Sequence, residues 1–182
     1  RDYYASRGLG DVYKRQTMLQ TAKWWSEIEE RPIIPGIDLE GPFCLKYVLG
    51  DDTASAKIAE RCGRDGLGLV DLTDIHLPVG PAEFVWLIHH SALVCTDSFH
   101  ATVFSLLFHR PFVIYERQGN AGNMSSRFDT LHALFGINSN RAGKDCFRER
   151  CVDEFDWTGF ERELEEKRND SVAWLRAALA SL

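Results

Sequence analysis

Thr96-Asp97-Ser98-Phe99-His100 places an acid, two hydroxyls and an imidazole within five residues. The cluster sits where one apolar run, Leu93 to Cys95, ends and another, from Ala101, begins. An imidazole titrates near neutral pH, so His100 can donate to an anion or carry a proton. Ser98 can supply a hydroxyl or cap a helix that starts after it. Asp97 can hold the loop by accepting from nearby backbone N–H groups, or it can face a ligand. Phe99 stands between them. A helix starting here would add free N–H groups and the positive end of its dipole, a seat for phosphate or carboxylate. The plainer alternative for His100 is a residue that only caps its own helix.

The elements around the cluster must place it. Residues 43–49, FCLKYVL, have strand composition. Gly50 to Thr53 reads as a turn into a helix over 54–64, with Ile58 and Cys62 facing inward. LGLVDL at 67–72 is a second strand, and Pro81 opens a helix striped by Phe84, Leu87 and Ile88. Leu93 to Thr96 is a third strand. The run from His100 to His109 is apolar nearly all round, which predicts a deeply buried helix. Pro111 ends it, and Phe112 to Tyr115 is a fourth strand. Ser125 or Ser126 can cap a helix to Phe135, and a short fifth strand is expected near 147–152. Strand and helix alternate through most of 43–136, which predicts an α/β fold: a Rossmann-like parallel sheet with helices on both faces. The GxGxxG fingerprint of a dinucleotide binder is absent. In such sheets ligands bind beyond the carboxyl ends of the strands, which is where Thr96 to His100 falls.

The flanks read differently. Residues 1–16 carry no useful periodicity, and RGLGDVYKRQ resembles a translated sequencing-adapter scar, so this segment is set aside as non-native. Residues 17–31 predict one helix, with Trp24, Trp25 and Ile28 on one side and the Trp24-Trp25 pair packing against a neighbouring domain. Residues 17–42 are thus a helix and linker belonging to a missing N-terminal domain, 43–155 the Rossmann-like domain, and 156–182 a C-terminal helix starting at Asp156 or Thr158.

The chain has 182 residues, a net charge of −6 and five cysteines without a CxxC pair. That balance gives no global footprint for nucleic acid. The cysteine count argues against a disulfide framework, and Cys95 reads as a small buried hydrophobe in a reducing compartment. No metal-ligand spacing and no cofactor motif stands out. His89-His90 reads as a pair favoured by the negative end of a helix, and His76 and His109 as surface residues. No apolar run approaches the roughly 20 residues of a spanning helix. The expectation is a cytoplasmic protein without a transmembrane segment, or one peripheral at the inner membrane face.

The stretch TDSFHATVFSLLFHRPFVIYER, followed by SSRFDTLHALFGI, resembles the C-terminal signature of the polysaccharide pyruvyl transferase family. That signature runs T-D-S/R-F-H-G/A, then K/R-P-F, then a later S-R motif. GPAEFVWLIHHSALVCTDSFH also fits the run that precedes it, and the likeness spans roughly 43–137. Ala101 stands where glycine is commoner in the family. The resemblance implies one half of a GT-B-like enzyme of two Rossmann-like domains facing a cleft. Its donor would be phosphoenolpyruvate, and its acceptor a surface-glycan sugar or lipid-linked precursor, joined as a pyruvate ketal. The early Gly/Asn-rich half of the family is missing here, so the chain is expected to be a fragment, inactive alone. By position, His100 matches the signature histidine, implied to contact the donor and act in catalysis. Asp97, Ser98 and Phe99 match its neighbours as substrate-binding residues. Arg127 matches the S-R arginine, and Arg117 follows the fourth strand. Either guanidinium offers a planar fork for the donor's phosphate or carboxylate. The plainer role for Arg127 is a surface pair with Asp129 or Glu116, worth about 0–1 kcal/mol. The alternatives are a GT-B-type glycosyltransferase using a nucleotide sugar, and a non-catalytic half-domain that binds anions or a protein.

Overall fold

Side chains alternate along β1 (Phe43–Tyr47), and that alternation divides the core. Phe43 and Leu45 face a large apolar cluster. Cys44, with Val48 just beyond the strand, faces a smaller one. The computed structural model describes residues 16–50, 54–73, 77–115, 128, 131, 133–135, 141–142 and 155–180. Among them β1 is followed by α3 (Ser55–Asp65), β2 (Gly68–Asp71), α4 (Pro81–His90), β3 (Leu93–Thr96), α5 (Phe99–Leu107) and β4 (Phe112–Tyr115). Ahead of β1 lie α1 (Gln16–Leu19) and α2 (Ala22–Ile28); behind β4 come β5 (Arg141–Ala142) and α6 (Trp157–Ala180).

The strands are parallel and ordered β2-β1-β3-β4-β5. The chain therefore moves outward from β1 to β2, then returns across β1 to β3. Crossovers of one hand that run in opposite directions put their helices on opposite faces. The core follows suit. Ile58 and Cys62 of α3 join the smaller cluster, while Val85, Leu87 and Ile88 of α4 join the larger. The reversal of direction leaves a crevice between the carboxyl ends of β1 and β3, the usual ligand position in a sheet of this order.

Local signals explain the element ends. α3 stops at Gly66, whose φ of 67° is left-handed and whose N–H bonds the Cys62 carbonyl. Pro81 occupies the first turn of α4, and Glu83 Oε2 reaches back to the Gly80 N–H at 3.1 Å. Every residue of α5 except His100 is buried. Its two buried polar residues are satisfied within the helix: Thr102 Oγ1 donates to the Ser98 carbonyl and Ser105 Oγ to that of Ala101.

Two expectations are corrected, and a third is not tested. The single helix over 17–31 is broken into α1 and α2, because Thr21 takes an extended conformation and its Oγ1 caps Trp24 N–H at 3.1 Å. Trp25 packs edge-on against Phe104 of this same domain, with ring centroids 4.9 Å apart, rather than on a neighbour. Met18 and Ile34 also belong to the main core. The fifth strand lies at 141–142. The stretch 147–152, where one was expected, is outside the described residues, as are 1–15, His76, Ser125 and Ser126. α6 begins after Asp156, whose Oδ1 accepts from Gly159 N–H at 2.8 Å. No helix of the described residues is long and apolar enough to cross a membrane.

Candidate functional site

β3 ends at Thr96, and the chain turns through Asp97 into α5 with Ser98 as the N-cap. Thr96 fixes this turn twice. Its Oγ1 donates to the Tyr47 carbonyl at 2.6 Å and accepts from the Ser98 N–H at 2.9 Å. Asp97 is 1% exposed. Its Oδ1 accepts from Leu49 N–H and its Oδ2 from Gly50 N–H, both at 2.8 Å. The carboxylate thus straps the loop after β1 to the end of β3, across the crevice where the sheet order reverses. That is the loop-holding role its type allowed.

Ser98 has the extended backbone of a cap, φ −90° and ψ 128°, but its side chain makes no capping hydrogen bond. The hydroxyl is therefore not tied to the helix start. His100 is the second residue of α5 and the exposed one on a helix otherwise buried. Its ring meets that of Phe99 edge-on, centroids 5.9 Å apart. The Phe99 ring itself is buried and packs against Phe128, centroids 6.1 Å apart. Phe99 so serves the core through its side chain and holds the first turn of α5 in place. Arg117 and Arg127 lie outside the described residues. Phe128, the residue after Arg127, is described, and its contact with Phe99 is beside the turn.

Other polar residues at this end of the sheet carried no recognisable signal. Lys46 lies in β1 opposite Asp71 of β2 and is 2% exposed. Its Nζ donates to Asp71 Oδ2 at 2.8 Å, while Asp71 Oδ1 accepts from Thr73 N–H at 3.0 Å and Thr73 Oγ1 at 2.6 Å. Burial pushes the Asp71 carboxyl up, but the bonds from Lys46 and Thr73 outweigh it and leave the group below its ordinary range. Tyr115 ends β4; burial, then the neighbouring Cys95, push its phenol well above the ordinary value. Beneath α3, Cys44 and Cys95 bring their sulfurs to 3.8 Å. Hydrogen bonds with Cys62 and Cys95, then burial, hold the Cys44 thiol far above its usual range. The bond with Cys44 lowers Cys62 to about 7 despite burial. Cys95 is free and buried, as its strand position implied.

The arrangement can hold a small anion at the start of α5 and offer it an exposed imidazole. Residues 37–119 match the family model of polysaccharide pyruvyl transferase. The match runs from before β1 to beyond β4, and it contains Asp97, Ser98, Phe99, His100 and Arg117. It therefore falls on the segment that builds the crevice, and it is the family whose motif was read in TDSFHA. It supports a transferase role in pyruvyl transfer for polysaccharide biosynthesis, with a glycan as the acceptor class. No significant match was found among curated proteins or among solved structures.

Proposed function

We propose that this chain supplies the donor-binding half of an enzyme that moves the pyruvyl group of phosphoenolpyruvate onto a surface-glycan sugar or its lipid-linked precursor. The observation that carries the reading is the exposed imidazole of His100 on the first turn of a buried helix, at the carboxyl end of β3. The donor's phosphate and carboxylate suit the N–H groups at the start of α5 and the Ser98 hydroxyl. Arg117 and Arg127 complete the anion contacts. Asp97 ties the loop after β1 to the turn that starts α5.

The chemistry balances without an external oxidant or reductant. Two sugar hydroxyls add to C2 of the donor, and the C2–O bond to phosphate breaks. One hydroxyl proton ends on C3, turning methylene into methyl, and the other leaves with phosphate. His100 carries one of these protons, a task an imidazole can perform. The second Rossmann-like half, supplied by a longer chain, forms the other wall of the cleft, and the fragment alone does not turn over. The site works in the cytoplasm, where both donor and lipid-linked precursor are reached from the inner membrane face.

Calorimetric titration of the chain with phosphoenolpyruvate, and separately with nucleotide sugars, tests the reading. Phosphoenolpyruvate is expected to bind, and His100→Ala to weaken it at least tenfold, as expected for loss of a charge-assisted contact. Binding of a nucleotide sugar alone, unchanged in His100→Ala, overturns it in favour of a glycosyltransferase.

A further inference from the structure

His89 and His90 close α4 and lead into β3, so they stand at the amino ends of the strands, the opposite end from His100. There they meet Glu29, the C-terminal cap of α2. His89 Nδ1 is 2.8 Å from Glu29 Oε2, and His90 Nε2 is 3.1 Å from Oε1. One ligand atom from each of the three residues lies within 4.8 Å of the other two. We propose that Glu29, His89 and His90 bind a divalent transition-metal ion of the zinc class, clasping the end of α2 to the end of α4.

Two imidazole nitrogens and one carboxylate oxygen are ligands that zinc takes readily, whereas calcium and magnesium favour all-oxygen sets. Metal–ligand bonds of about 2.0–2.2 Å at tetrahedral angles put neighbouring ligand atoms about 3.3 Å apart. The 2.8 Å from His89 Nδ1 to its carboxylate oxygen opens by a few tenths of an ångström to admit the ion, and the wider separations, all within 4.8 Å, close toward the same spacing. Binding replaces both contacts to the carboxylate and leaves each ring proton on the other nitrogen, Nε2 of His89 and Nδ1 of His90.

The ligands are already held in place. His89 stacks on Phe108 with centroids 4.2 Å apart, and His90 stacks on Trp86 at 4.4 Å. The Glu29 side chain is 12% exposed. The next residue pins it to α4, because Glu30 N–H donates to the Ala82 carbonyl at 3.3 Å. Arg31 then lies over Trp86, 5.5 Å from the ring centroid. Little rotamer freedom remains to be lost on binding, which favours affinity. His90 is 43% exposed, which gives the ion a route in and leaves its fourth position to water.

Titration of the untagged chain with Co²⁺ after chelator treatment tests the site, with Zn²⁺ as competitor. One Co²⁺ per chain is expected, with visible absorption of a four- or five-coordinate ion that Zn²⁺ abolishes. Glu29→Gln and His90→Gln keep shape and fold, checked by circular dichroism, and each is expected to lower affinity at least tenfold. Zn²⁺ in excess should also raise the thermal midpoint of the wild type but not of either variant. Absence of saturable binding, or wild-type affinity in both variants, overturns the site. Thiolate-to-metal charge-transfer absorption also overturns it, because the ion would then sit on the cysteines.

Discussion

Replacing Asp97 by alanine removes both acceptors of the strap between β1 and β3. Each bond is 2.8 Å long and joins a backbone N–H to a carboxylate that is 1% exposed. Hydrogen bonds to charged groups contribute about 1.5–3 kcal/mol each. Leu49 is 50% exposed, and Gly50 is partly exposed, so the released N–H groups reach water and the loss falls toward the lower end. The expected cost of Asp97→Ala is about 3–4 kcal/mol. Asp97→Asn keeps one acceptor oxygen and turns an NH₂ toward the other donor, so roughly half that cost or more remains. Urea unfolding followed by tryptophan fluorescence reads both as a lower midpoint at unchanged slope. A loss below about 0.5 kcal/mol for Asp97→Ala refutes the strap. So does a variant of wild-type stability that no longer binds phosphoenolpyruvate, which would make Asp97 a donor contact.

Three further outcomes are expected. Asp71→Ala should destabilise more than Lys46→Met, by about 1–2 kcal/mol in urea unfolding once Asp71's solvent access is allowed for, because it takes an anionic partner from a buried ammonium that keeps its charge. The Asp71 carboxyl is depressed on folding, so its contribution is full above its unfolded value of 3.8 and is lost as pH falls through the folded value. The stability gap between wild type and Asp71→Asn should then be flat near neutral pH and shrink below about pH 3.8; a gap that widens there refutes the pairing. Among Cys44, Cys62 and Cys95, mass-spectrometric tracking of iodoacetamide at pH 8 should find Cys62 modified first, since its thiol is lowered to about 7 while that of Cys44 is raised. Equal rates would contradict the hydrogen bond drawn between them. In the two-domain enzyme proposed above, His100→Gln should lower kcat by about 10²–10⁴-fold and flatten its pH profile; an unchanged profile removes the proton-carrying role.

What the chain shows on inspection follows the range of the interactions. β3 and β4 were legible to the residue, and α4 at its proline, because apolar runs bounded by Ser, Gly and Pro are local signals. The burial of α5 was legible from its composition. Its start was misplaced by one residue, since Phe99 is the first helical position. The break at Thr21 was missed because a threonine inside an amphipathic run can join the helix or cap it, and only packing decides. The turn at Thr96 to His100 was visible, but Asp97's partners were not: Leu49 and Gly50 are 48 and 47 residues away. Lys46 reads as a solvent-facing residue in any strand until Asp71 is placed beside it. Glu29 is 60 residues from His89, so the histidine pair was read only against its own helix dipole. β5 has two residues, too few for a period to register.

The encased helix α5 bears on how this site can vary. Its one exposed side chain rides on seven others packed from Ala101 to Leu107, so imidazole placement is set from beneath. Enlarging Ala101 or Val103 would tilt the mount, and with it the imidazole, by a shift on the order of an ångström. The loops around it can change sequence, whereas the exposed ring keeps its place for as long as that wedge keeps its shape.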